Sequence, residues 1–244
     1  MSLSSSTLLR ERRALALILL GFCTSIFSIL ALAQGGAWVP CFSAMAVTYG
    51  LAFFAVAAEW FWGRWFAMGL ASSGVAMALL GLVSTGWEIG IAIWGGIHLL
   101  IYVPMMGIGM AERYEDRPDW RKRFSLSDDG AARIQRAVKG AAASLPTLIF
   151  YALSPRQDQM LMGILVLAAG IGTFGLLRFR FWGVLVLGSL AATLGVLSFT
   201  GDAFALTAMQ STFRWSLGAA AAIMLTWAVS PFVIPTYRYW RRLS

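Results

Sequence analysis

Eight stretches of about twenty residues, mostly apolar and poor in charge, divide this chain, and its basic residues collect in every second gap between them. The stretches are 14–33, 38–58, 65–85, 87–110, 137–153, 160–177, 181–200 and 212–234. Each is long enough to cross the hydrocarbon core of a bilayer as a helix. Starting inside the cell and alternating, the inner gaps hold Arg10, Arg12 and Arg13, then Arg64, then the group from Arg113 to Lys139, then Arg178 and Arg180, then Arg238, Arg241 and Arg242. That is 17 of the 19 Lys and Arg residues, with only Arg156 and Arg214 outside. Cytoplasmic loops of membrane proteins carry this excess. An odd number of spans would destroy the pattern, so eight spans with both termini in the cytoplasm are expected, in a cytoplasmic membrane of bacterial type.

The composition requires lipid as solvent. Hydrophobic residues make up 59% of the 244 and charged ones 12%, about half the charged share of a soluble domain. Backbone groups in lipid are satisfied only by helices or closed barrels. The apolar runs are continuous rather than alternating, which selects an all-α polytopic bundle. The formal net charge of +8 follows from topology and from contact with lipid headgroups, so no nucleic-acid partner is expected. The basic N-terminus followed by an apolar run resembles a signal peptide, but the run exceeds a signal core and is expected to stay as the first span. Cys23 and Cys41 fall at different depths, so no disulfide is expected, and no metal-ligand spacing occurs.

An internal duplication is visible. Residues 64–88 and 178–202, offset by 114, share Arg64/Arg178, Gly69/Gly183, Gly74/Gly188, Ala78/Ala192, Leu80/Leu194, Gly81/Gly195 and Ser84/Ser198. At an offset of 123, Arg10, Arg13, Ala14, Thr24, Ile26, Phe27 and Leu30 meet Arg133, Arg136, Ala137, Thr147, Ile149, Phe150 and Leu153. Two four-span repeats of the same orientation follow, residues 10–112 and 133–244, joined by a cytoplasmic loop over 113–132. Small residues at Gly74 and Gly81, and at Gly188, Ala191, Ala192 and Gly195, line one helical face each, where backbones are expected to pack closely.

Candidate chemistry is sparse. His98, the only histidine, lies mid-span in the fourth run, with Tyr102 as its nearest candidate partner and Pro104 expected to kink the helix. Structural hydrogen bonding, a proton relay or substrate contact, and ligation of a haem or pigment are its three readings, in that order. Glu88 and Asp202 mark the outer ends of the repeated helices and Arg214 lies on the same side, so the three could meet at an outer mouth. Glu59 is expected to face water or Arg64. The segment 203–211 makes the last span too long for one crossing. No phosphate-binding glycine loop, HExxH, GxSxG, CxxC or in-span Schiff-base lysine occurs.

Three functions remain. The first is a non-catalytic bundle that binds or transports a small or lipophilic molecule. The second is a scaffold, assembly or regulatory subunit of a larger membrane complex, with the polar stretch 111–136 as a docking surface for a protein partner. The third is an intramembrane enzyme.

Overall fold

In the computed structural model, described for residues 3–115, 127–156, 158–200 and 208–243, every regular element is helical. Within these ranges the side chains of residues 3–6, 199–200, 208–214, 236–240 and 242–243 are not described. The helices are α1 (Leu3–Gln34), α2 (Val39–Ala57), α3 (Gly63–Thr85), α4 (Ile89–Met105), α5 (Ile108–Glu115), α6 (Asp128–Leu153), α7 (Gln159–Leu177), α8 (Phe181–Thr200) and α9 (Ala208–Leu243). A single 3₁₀ turn, Gly36–Trp38, joins α1 to α2.

Among the described residues six helices are long and apolar enough to cross a membrane, or seven if α4 and α5, bent by 73° at their junction, count as one broken span. Their large apolar side chains point outward in number, among them Leu32, Val83 and Leu167. Such surfaces need lipid around them, and the chain is a polytopic helical membrane protein. The expected fifth span, 137–153, is not among the six. Nearly all of that part of α6 is buried, and it is built from Ala, Gly and Ser as much as from large apolar residues. A helix surrounded by protein needs little apolarity of its own. Its start was legible: Ser127 caps α6 by accepting from Gly130 N–H at 3.2 Å, with Asp128 and Asp129 in the first turn.

The chain divides into two compact units, Met1–Arg123 and Phe124–Ser244. In the first, α1 packs on α2 and α4, and α3 on α2 and α4. In the second, α6 packs on α7 and α9, and α8 on α7 and α9. Each is a ring of four helices in sequence order, the arrangement short connections favour.

The turns into the third helix of each ring share one hydrogen-bond pattern. In the first, Glu59 N–H donates to Val56 O at 3.2 Å, Trp60 N–H to Ala55 O at 3.0 Å and Gly63 N–H to Trp60 O at 2.8 Å. In the second, Phe179 N–H donates to Leu176 O at 2.9 Å, Arg180 N–H to Gly175 O at 2.9 Å and Gly183 N–H to Arg180 O at 3.0 Å. Both close a helix with a Schellman motif, and the residue after each cap is left-handed: φ is 52° at Glu59 and 55° at Phe179.

The turns correspond at an offset of 120, not 114. At 120, Gly50, Phe54, Phe61, Trp62, Gly63, Leu70 and Ala71 meet identical residues. The buried positions of α8 (Gly183, Leu187, Leu190, Ala191, Leu194 and Ser198) then fall on buried positions of α3 (Gly63, Ala67, Leu70, Ala71, Gly74 and Ala78). At 114, Leu194 and Ser198 would match the exposed Leu80 and Ser84. The matched arginines have different settings: Arg64 lies inside the first turn of α3, while Arg178 caps the end of α7.

Candidate functional site

His98 sits on α4 and is wholly buried. Its Nδ1 lies 2.9 Å from Trp94 O, one turn back on the same helix. A carbonyl only accepts, so Nδ1 carries the proton in the neutral ring. Nε2 is then an acceptor, and Tyr49 O–H, from α2, donates to it at 2.6 Å. The partner is thus Tyr49, not Tyr102, which is half-buried one turn further along α4. A depth count could have found Tyr49: it lies eleven residues into the second expected span, and His98 eleven into the fourth.

Aromatic rings surround the pair. The ring of Trp94 is 4.2 Å from that of His98, and Phe27 of α1 stacks on Tyr49 at 5.5 Å. Phe42 and Trp38 continue the row toward the start of α2, at 6.3 Å from Phe27 and 5.4 Å from Phe42 respectively. On the opposite side is Gly74. A Cβ on Gly74 would stand 2.0 Å from His98 Cδ2, so the glycine vacates the volume the imidazole fills. The same α3 face meets α4 twice more, with Gly95 against Ala78 and Gly81 against Ile91. Close packing at Gly74 and Gly81 therefore holds. It does not hold at Gly188 and Gly195, where an added Cβ meets nothing within 4 Å, and Ala192 is exposed while Ala191 is buried. Tight contacts of the second unit are instead between α7 and α8, where Gly183 lies against the backbone of Gly172 and Gly175, and between α6 and α9, where Gly140 lies against Ala228.

The helix ends that carry the arginines form a second cluster. Pro104 sits in the last turn of α4, which stops at Met105 rather than bending through, and Gly107 takes a φ of 94° before α5 begins. Proline permits no donor there and glycine permits the left-handed turn. The carbonyls this break orphans are capped by arginine: Arg64 Nε donates to Met105 O at 2.7 Å and Arg12 Nη2 to Met106 O at 2.5 Å. Arg13 Nη2 donates to Ala57 O, at the end of α2, at 2.6 Å. Cations at helix C-termini oppose the helix dipole.

Two carboxylates complete the cluster. Glu59, expected to face water or Arg64, is mostly buried and pairs with Arg13 at 2.6 Å and Arg113 at 2.5 Å. Arg64 instead pairs with Glu115 of α5, which also accepts from Trp65 Nε1 at 2.7 Å. Tyr114 O–H donates to Val56 O at 3.1 Å. Nothing in the spacing of Glu115 announces this, because a 73° bend brings it back under α3.

Of the outer group, Glu88 is exposed at the start of α4, and its side chain makes no capping bond there. Asp202, the side chain of Arg214 and most of 203–211 lie outside the described residues. So does 116–126, the middle of the polar stretch expected to dock a partner. Cys23 and Cys41 are buried free thiols. Among the described residues no group of three or more His, Cys, Asp and Glu could hold a metal ion. Ligation at His98 Nε2 would first have to displace Tyr49.

Compared with known proteins, the chain matches no family model, no curated sequence and no solved structure.

Proposed function

We propose that this protein is a non-catalytic membrane scaffold, a subunit around which a larger membrane complex assembles. The observation behind this reading is the saturation of His98: one ring nitrogen is bound to its own helix, the other to Tyr49, and the ring rests on Gly74. A histidine held in this way pins α4 to α2 and α3 and keeps no free lone pair for a ligand. Eight spans in two parallel four-helix repeats, with both termini in the cytoplasm, belong to the same proposal. The matching turns, their common burial pattern at an offset of 120 and the two four-helix rings support it. Extraction in mild detergent followed by native mass measurement tests the reading. A stoichiometric protein partner supports it; a lone chain retaining a small molecule rejects it.

That second outcome would favour binding or carriage of a lipophilic molecule. One observation speaks for it: the row of rings from Trp38 through Phe42 and Phe27 to Tyr49 runs from a partly exposed position into the buried centre of the first unit. A flat apolar molecule could exchange along such a row by ring-on-ring contact. Protection of Trp38 fluorescence from a lipid-soluble quencher by added candidate molecules distinguishes this route from a purely structural core.

A further inference from the structure

We propose that α5 is a charge-held strap that, through arginines of α1 and α3, ties the ends of α1, α2, α3 and α4 together and can open as a unit. It leaves α4 at 73°, across a junction with no regular helix at Met106 and Gly107. No continuous ladder of helical hydrogen bonds therefore fixes its direction. Its position is set by polar contacts that do not involve α4. Glu115 is gripped by Arg64 and Trp65 of α3. Arg113 reaches Glu59 in the turn after α2, and Glu59 is held in turn by Arg13 of α1. Tyr114 bonds the end of α2. The apolar seal under α5 is small, with Met110 and Tyr114 buried while Ile108 lies 78% exposed. The carboxylates therefore decide between closed and open. Both carboxylates are little exposed and bonded to guanidinium groups, and a charged hydrogen bond is worth most where water is scarce.

The strap also governs α4. Arg64 holds Glu115 with one nitrogen and the last carbonyl of α4 with another. Releasing α5 frees that arginine to leave Met105 O. The end of the helix that carries His98 then frays, while the His98–Tyr49 bond, about two turns away, stays in place. The device thus connects whatever pulls on the chain after Glu115 to the helix that carries the buried pair.

The test uses the full chain in nanodiscs, with trypsin and mass-spectrometric assignment of cut sites. Cleavage after Arg113 requires α5 to open, and its rate follows the open population when opening is fast. Glu115→Gln and Glu59→Gln should each raise that cleavage roughly tenfold, and the double variant further. Glu112→Gln, at an exposed position of the same helix, should leave it unchanged. Hydrogen exchange of the wild-type protein gives a second measurement that needs no variant. Amides 108–115 should exchange faster than those of α3 and gain further in 1 M salt, while α3 stays constant. Unchanged cleavage after Arg113 in both single variants, or equal acceleration of exchange in α3 and α5, overturns the strap and leaves the carboxylates as parts of one cooperative fold.

Discussion

The turns Glu59–Gly63 and Phe179–Gly183 are built on one backbone and put to different use. Each ends a helix with the same three hydrogen bonds, holds a non-glycine residue in the left-handed region and brings a glycine against the previous helix. In the first unit the left-handed residue is Glu59, which binds two arginines. In the second it is a half-buried phenylalanine beside Arg178, whose guanidinium lies 5.3 Å from the Phe174 ring. The two turns thus share a backbone and differ in side-chain chemistry. The left-handed conformation costs about 1–2 kcal/mol for an ordinary residue. At Glu59 two ion pairs offset that cost; at Phe179 apolar burial does.

The sharpest break in the comparison concerns the glycines. Gly74→Leu would drive a side chain into the His98 ring, and overpacking of this kind should cost about 3 kcal/mol. Gly188→Leu, its partner at an offset of 114, projects into open space and should change stability by less than about 0.5 kcal/mol. Thermal unfolding in detergent, followed by tryptophan fluorescence, compares the two. Equal losses would restore the 114 register and a packed role for α8 at Gly188.

The 120 register makes its own demand. A Cβ on Gly63 would meet Ala55 O at 2.5 Å, and one on Gly183 would meet Leu176 N at 2.6 Å. Neither neighbour is a side chain that can swing away. Gly63→Ala and Gly183→Ala should therefore each lose about 2 kcal/mol, and nearly the same amount, in the same unfolding assay. A loss at one position alone would mean that the two turns resemble each other only in their hydrogen bonds.

A smaller effect separates the buried pair from its aromatic surroundings. Tyr49→Phe keeps the ring and its stacking on Phe27 but leaves His98 Nε2 without its donor. The expected cost is about 1–2 kcal/mol, the desolvation of one unpaired buried acceptor. In a double-mutant cycle with His98→Leu, the second substitution should add little once the first is present. Full additivity would show that the two side chains are not coupled.

Much of the architecture was legible before any coordinates, because it rests on large repeated signals. Long apolar runs force helices, and Ser127 followed by Asp128 and Asp129 announces a helix start. The likeness of the two turns was harder to see: glycines and leucines recur so often in apolar helices that the seven matches at 114 stand out as much as the short Phe-Trp-Gly match at 120. The candidate site was half legible. A single mid-span histidine is conspicuous, yet its partner lies 49 residues away on another helix. The Glu115 contact depends on a sharp break after Pro104, and proline alone predicts a kink rather than a stop and a turn back.

The smallest expected effect bears most directly on how the two turns differ. Substituting glycine relieves the left-handed strain at either site by about 1 kcal/mol. At position 179 the gain is set against the loss of a half-buried ring, worth about 1 kcal/mol, so Phe179→Gly should lie within about 0.5 kcal/mol of the parent. At position 59 the same gain is set against the loss of two charged partners, Arg13 and Arg113. Arg13 and Arg113 would then keep their burial without the carboxylate, and Glu59→Gly should lose about 1–2 kcal/mol net. Raising the salt concentration should narrow that difference by weakening the ion pairs of the parent and should not move Phe179→Gly at all. If Glu59→Gly were as neutral as Phe179→Gly at low salt, the charges would be ornaments on a shared turn, and the first unit would hold its helix ends by packing alone.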